Sequence, residues 1–259
     1  MRNVLAVGWD VGGWRGTKQA VAVMRQIDGR REWAGIPRTF TIEALTQSGG
    51  SIVDLIRFGW SDAPVDVFDH YRIIVAIDAP LGFPVAFQQL IFRQPSATIE
   101  LGPEIMNPFA YRETDRWVHQ SFRKKPLSAS FDKLGNVATV AMYHAERWAV
   151  TAGFPIVPFQ PDDGHHAIIE VYPALVKERA TRLCDSRLAR LLPDELPPRS
   201  DELDAAICAL HALAYALNGQ DGDLPALVGP PDDLNQGTVA AEGWIYHVPF
   251  AWLGRNGSG

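Results

Sequence analysis

The chain of 259 residues has only two cysteines, no long apolar run and no excess of positive charge. Each shortage excludes something. Cys184 and Cys208 are too few for a disulfide framework, and no Cys–His spacing of the zinc-binding kind exists. Both lie in apolar surroundings, so two buried thiols are expected rather than a disulfide, as in a reducing compartment. The opening MRNVLAVGWD has too short an apolar run for a signal peptide, and no stretch approaches membrane-spanning length. A soluble, cytoplasmic protein with no membrane partner is the expectation. Lys and Arg number 24 against 30 Asp and Glu, a net charge of −6, which argues against a general nucleic-acid-coating protein. A local basic patch remains compatible with an anionic substrate, because the local field rather than the net charge steers it. Repeats, heptads and long low-complexity tracts are missing as well.

The composition that remains, 47% hydrophobic and 21% charged, is that of an ordinary globular protein. Residues 3–9 predict a short buried strand. TKQAVAVMRQI and REWAGIPRTF alternate as two more strands around a turn at Gly29. Residues 51–60 fit a short amphipathic helix. YRIIVAID is a continuous apolar run, hence a fully buried strand, and a helix from Val85 to Phe92 follows it. Residues 93–136, rich in Pro, Ser, Arg and Lys, predict an insertion or loop rather than a core element. NVATVAMYHAERWAV has helical spacing, and HAIIEVYP is another buried strand. The segments 174–182 and 184–192 look helical. DELDAAICALHALAYAL is the most secure helix, with Leu203, Ile207, Leu210, Ala214 and Leu217 as its stripe. Residues 219–238, rich in Gly and Pro, predict a mobile loop, and EGWIYHVP a late edge strand. The sum is one α/β domain over residues 1–259. Its mixed sheet has five strands, three antiparallel and then parallel ones, with helices on its faces.

The acids fall at telling places. Asp10 and Asp78 each end an apolar strand, and ligands bind at that edge of open α/β sheets. If the strands are parallel neighbours, the two carboxylates repel unless a proton or a cation lies between them. An oxygen-rich site of this kind suits Mg²⁺ or Mn²⁺. The plain alternative is that each Asp merely ends its strand. Glu170 sits between Ile169 and Val171, where a carboxylate is costly unless paired or metal-bound; an edge position is the alternative. Asp201 and Asp204 open the secure helix at i and i+3. Ser200 is a natural N-cap and acids suit a first turn, which explains Asp201 better than Asp204.

GWDVGGWRG, VAIDAPLGFP, IIEVYPA, SDELDAAICAL and EGWIYHVP, in that order, resemble a family of uncharacterised proteins described as predicted RNase H-like nucleases. RETD at 112–115 and PLSASFDKLG at 126–135 look like that family's insertion. The resemblance implies an RNase H-like fold in which Asp10, Asp78, Asp201 and Asp204 hold two divalent metals. Glu170 belongs to the same catalytic set, though its counterpart is less clear. The implied chemistry is two-metal hydrolysis of phosphodiesters, with nucleic acid or another phosphate-containing molecule as partner. Arg112, Arg116, Arg123, Lys124 and Lys125 of the insertion are candidate phosphate contacts, or simply a solvated loop. Gly12 and Gly13 would let a phosphate approach the backbone, and Trp14 would stack on a base or pack like any other tryptophan.

Two rivals stand beside this reading. DVGGWRGTK also resembles the first phosphate loop of sugar kinases and actin-like ATPases, which share the RNase H-like core. There Asp10 would hold Mg²⁺ and Asp78 would act as base. Trp14 stands where that loop has Thr, and no glycine-rich adenosine motif follows. The second rival is a binding module that keeps the fold without catalysis.

Overall fold

The apolar run before Asp10 lies in the middle of the sheet. The computed structural model describes residues 3–15, 18–94, 102–132, 134–179, 182–183, 186–194, 196–220 and 222–253. Within them the chain runs β1 (Val4–Asp10), β2 (Lys18–Ile27), β3 (Arg30–Trp33), β4 (Arg38–Thr41), α1 (Ile42–Gln47), α2 (Ile52–Gly59), α3 (Val67–His70), β5 (Arg72–Asp78) and α4 (Val85–Ile91). It continues with α5 (Glu113–Phe122), α6 (Leu134–Ala152), β6 (Ile156–Val157), β7 (His166–Val171), β8 (Lys177–Arg179), β9 (Arg182–Leu183), α7 (Ser186–Leu191), α8 (Asp201–Leu217), α9 (Gln236–Glu242) and β10 (Ile245–Tyr246).

The main sheet has the order β10-β7-β5-β1-β2-β3, with β4 also on β2 and β6 also on β7. β1 to β4 are antiparallel on the β2 side, whereas β1, β5, β7 and β10 run parallel. This is the mixed α/β sheet expected, but with eight strands rather than five. The third expected strand divides: Gly35 and Pro37 interrupt it, and Pro has no N–H for the ladder. Ten-residue β2 accommodates both halves, β3 beside its end and β4 beside its start. Two-residue β6 and β10 then extend β7.

Three other expectations change. The described part of segment 174–182 is not α-helical: a 3-10 turn, Pro173–Val176, leads into β8, which pairs antiparallel with β9, and residues 180 and 181 lie outside the described residues. Leu175 and Val176 of this turn are both buried in the core. The insertion is not merely a loop. Val118 and Phe122, at i and i+4 on α5, are buried in the core, and so is Tyr111. The last residues of the expected 219–238 loop belong to α9, and Val228 bridges to His247. Cys208 is buried and free; Cys184 lies outside the described residues. Among the described residues no helix is long and apolar enough to cross a membrane.

Alternation in β1 decides where the site lies. Leu5, Val7 and Trp9 face the core beneath α1, α2 and α6, while Ala6 faces the one beneath α5 and α8. Gly8 and Asp10 therefore face α8. The helix backbone lies directly on Gly8, where a Cβ would run into the Ala205 carbonyl oxygen and the Ala209 nitrogen. Ala20 and Ala22 of β2 meet Ala205, Ala206 and Ala209 in the same small-residue seam. Gly8→Ala should therefore lower stability by about 1–3 kcal/mol through overpacking, read as a lower urea midpoint. An unchanged midpoint would mean that α8 lifts without loss.

Candidate active site

β1 and β5 are parallel neighbours in register, so Asp10 stands directly beside Asp78 at the C-terminal edge of the sheet. Both are packed round by protein yet face a cleft of about 200 Å³. Burial is the first cause pushing the Asp10 carboxyl far above the usual carboxylate range, followed by the charges of Asp78, Asp204 and Asp201. Asp78 is pushed up in the same way by burial, then by Asp204. Both side chains are only partly exposed, so water screens the two like charges incompletely. α8, seated on Gly8, brings its first turn over this edge. Asp204 forms an ion pair with the Lys177 ammonium. Asp201 is exposed one turn earlier; burial, Glu202 and Asp204 push its carboxyl up.

Glu170 has a protein partner. Its Oε2 accepts from Arg112 Nη1 at 2.8 Å and its Oε1 from Arg112 Nη2 at 2.6 Å. The Leu81 N–H also donates to Oε2, at 2.9 Å. The same guanidinium grips Asp115, Nε to Oδ2 at 3.1 Å and Nη2 to Oδ1 at 3.0 Å. All three side chains are at most 2% exposed. This network also lines the cleft. It ties the insertion to β7. Nearby, Glu242 of α9 accepts from Val85 N–H at 2.8 Å and Glu113 N–H at 2.7 Å, capping α4 and α5 together.

The insertion lies over the acids' edge, as Pro126, Leu127 and Leu134 wall the same cleft. Its basic residues divide. Arg112 is committed to the two carboxylates and to the Glu242 carbonyl. Lys124 donates to the Ala174 carbonyl at 2.6 Å, and its charge reaches Asp78. Arg116 is bound to Tyr111 O and Glu113. Arg123 is exposed at the end of α5, and Lys125 pairs with Glu104.

The glycine turn is occupied by side chains of the chain itself. Gly12 N–H donates to Gln19 Oε1 at 2.9 Å, and Trp14 N–H to Asn136 Oδ1 at 3.1 Å. The Asn136 side chain fills the place of a Cβ on Gly13. Trp14 is exposed beside Tyr143, ring centroids 5.7 Å apart, and its indole N–H donates to Thr139.

Asp10 and Asp78 thus stand together, with Asp204 near them and held by Lys177. Glu170 and Asp115 share Arg112 on another wall of the same cleft, and the Glu170 charge still reaches Asp78. Among the described residues, no three His, Cys, Asp or Glu side chains are gathered as a metal-binding group. Sequence reasoning missed Lys177, whose one signal is a lone cation in the apolar run YPALVK. It also missed Asp115 and Glu242. Comparisons with protein-family models, with curated proteins and with solved structures found no match.

Proposed function

We infer that the protein is a hydrolase of phosphodiester bonds in nucleic acid, with an RNase H-like fold and a divalent cation, Mg²⁺ or Mn²⁺, as cofactor. The carrying observation is the register of β1 and β5, which sets Asp10 beside Asp78 at the same edge of the sheet. Two buried, mutually repelling carboxylates are relieved by a proton or by a cation. Their oxygens match the preference of Mg²⁺ or Mn²⁺. On this reading Asp10 and Asp78 would hold one ion, and Asp204 would have to part from Lys177 and move in to serve as a third ligand. A second ion has less support, because Glu170 is engaged by Arg112.

When bound, a divalent cation makes water a nucleophile at neutral pH and polarises phosphoryl oxygens. The chain's own residues supply the rest. Asp10 and Asp78 orient the site from two adjacent strand ends. Lys124 contributes positive charge toward an anionic substrate, while Pro126, Leu127 and Leu134 exclude water from one side. Trp14 and Tyr143 offer an exposed aromatic pair for an unpaired base. The phosphotransferase reading is weaker, since the amides of Gly12 and Trp14 are spent on Gln19 and Asn136. A module without catalysis would keep an unrelieved carboxylate pair at a stability cost and to no use.

The test is cleavage of single-stranded and duplex DNA and RNA with Mn²⁺ or with EDTA. Cation-dependent cleavage is expected, reduced at least ~100-fold by Asp78→Asn. No cleavage, together with thermal stabilisation by ATP, would replace this reading with phosphotransfer.

A further inference from the structure

We propose that the Lys177 ammonium is the resident counter-cation of the acid cluster. On this proposal a divalent ion and an anionic substrate together displace it from Asp204 and so bind with positive coupling. The proposal rests on the metal-dependent reading above.

The route of the chain places this lysine. β7 ends at Val171 beside the acids. The 3-10 turn Pro173–Val176 then buries Leu175 and Val176 in the core that α8 covers. Lys177 follows at once and reaches the first turn of α8, where its ammonium meets Asp204. Its side chain is 10% exposed and that of Asp204 27%, so this pair is not a solvated surface contact. Its charge also acts on both Asp10 and Asp78. The acids its charge acts on include Asp10, Asp78 and Asp204, and the Lys124 charge also acts on Asp78.

Once Asp10 and Asp78 give up their protons, one ammonium offsets only one of three carboxylates and leaves the cluster negative. A divalent ion offsets more, but it needs Asp204 and is repelled by the lysine. The ammonium must then find another anion. Its four-carbon stem is flexible, and an ammonium binds phosphate as a point charge. A phosphodiester entering the cleft supplies that anion. Substrate thus releases Asp204 to the ion, and by linkage the ion raises affinity for substrate equally.

The test is calorimetric titration of Mn²⁺ into the full-length protein, alone and with a phosphorothioate hexathymidylate that resists cleavage. In the wild type the oligonucleotide should tighten Mn²⁺ binding at least fivefold. Lys177→Met should bind Mn²⁺ alone about tenfold more tightly and lose the coupling. Lys177→Gln still offers Asp204 a hydrogen bond and should shift the same way, covering a failure of the Met variant to fold. Lys177→Arg should behave like the wild type. Mn²⁺ binding to the wild type without coupling overturns the proposal, as does a neutral variant that binds no more tightly. In both cases the metal site stands. If no form binds Mn²⁺ at millimolar concentration, the metal-dependent reading falls and this proposal with it.

Discussion

Arg112→Met should cost about 3–5 kcal/mol of folding stability, the usual result of stripping a buried charge network of one partner. The guanidinium is the common cation of Glu170 and Asp115, and neither carboxylate reaches solvent. Without it, two buried negative charges face each other across the hole left by the arginine. Each must take a proton or draw in water, and both responses cost free energy. The damage should extend beyond the pair. Arg112 also donates to the Glu242 carbonyl at 3.4 Å, next to the carboxylate that caps α4 and α5. The roof of the cleft should therefore loosen together with the core. Arg112→Met combined with Glu170→Gln and Asp115→Asn should recover most of the loss, because no uncompensated charge remains. Urea unfolding of the single and triple variants is the measurement. Equal losses in both would show that shape, not charge, holds the insertion down.

That network also marks how far the sequence can be read. Glu170 in AIIEVYP declares its own problem, since a carboxylate among β-branched residues needs a partner. The partner lies 58 residues away in a segment whose Pro, Ser, Arg and Lys content suggests solvated loop. Nothing local connects them; only the packing of α5 through Val118 and Phe122 does. Asp10 and Asp78 are legible because each terminates a run of apolar residues, and parallel strands of similar length align such ends. Helix α8 is legible almost to the residue, from its Ser200 cap to Leu217. Its seating on Gly8 is not, because a glycine in a strand does not say what approaches it. Lys177 is the hardest case. A single lysine after a proline turn matches countless surface residues until the fold closes it onto Asp204.

Asp10→Asn should stabilise the metal-free protein, and the gain should grow with pH. In the unfolded chain an aspartate loses its proton near pH 3.9. In the fold, burial and the neighbouring charges of Asp78 and Asp204 hold both carboxyls well above that. At low pH both states are protonated and the pair costs nothing. As pH rises past about 4, the unfolded chain ionises while the fold retains its protons. Stability then declines by up to about 1.4 kcal/mol per pH unit for each proton so retained, until the folded carboxyl also ionises. The penalty therefore lies on the alkaline side, the reverse of a salt-bridged aspartate. Asparagine keeps the shape, cannot ionise and removes one repelling partner from Asp78. The variant should melt close to the wild type at pH 5 and clearly above it at pH 8, both in EDTA. Mn²⁺ should reverse the ranking at pH 8, because the wild type gains RT ln(1 + [Mn²⁺]/Kd) and the variant loses a ligand. Melting curves at the two pH values, with Mn²⁺ and with EDTA, separate the readings. If asparagine lowers the melting temperature equally at pH 5 and pH 8, Asp10 is ionised and structurally paired. The strand-end carboxylates would then need no cation, and the metal assignment would lose its physical basis.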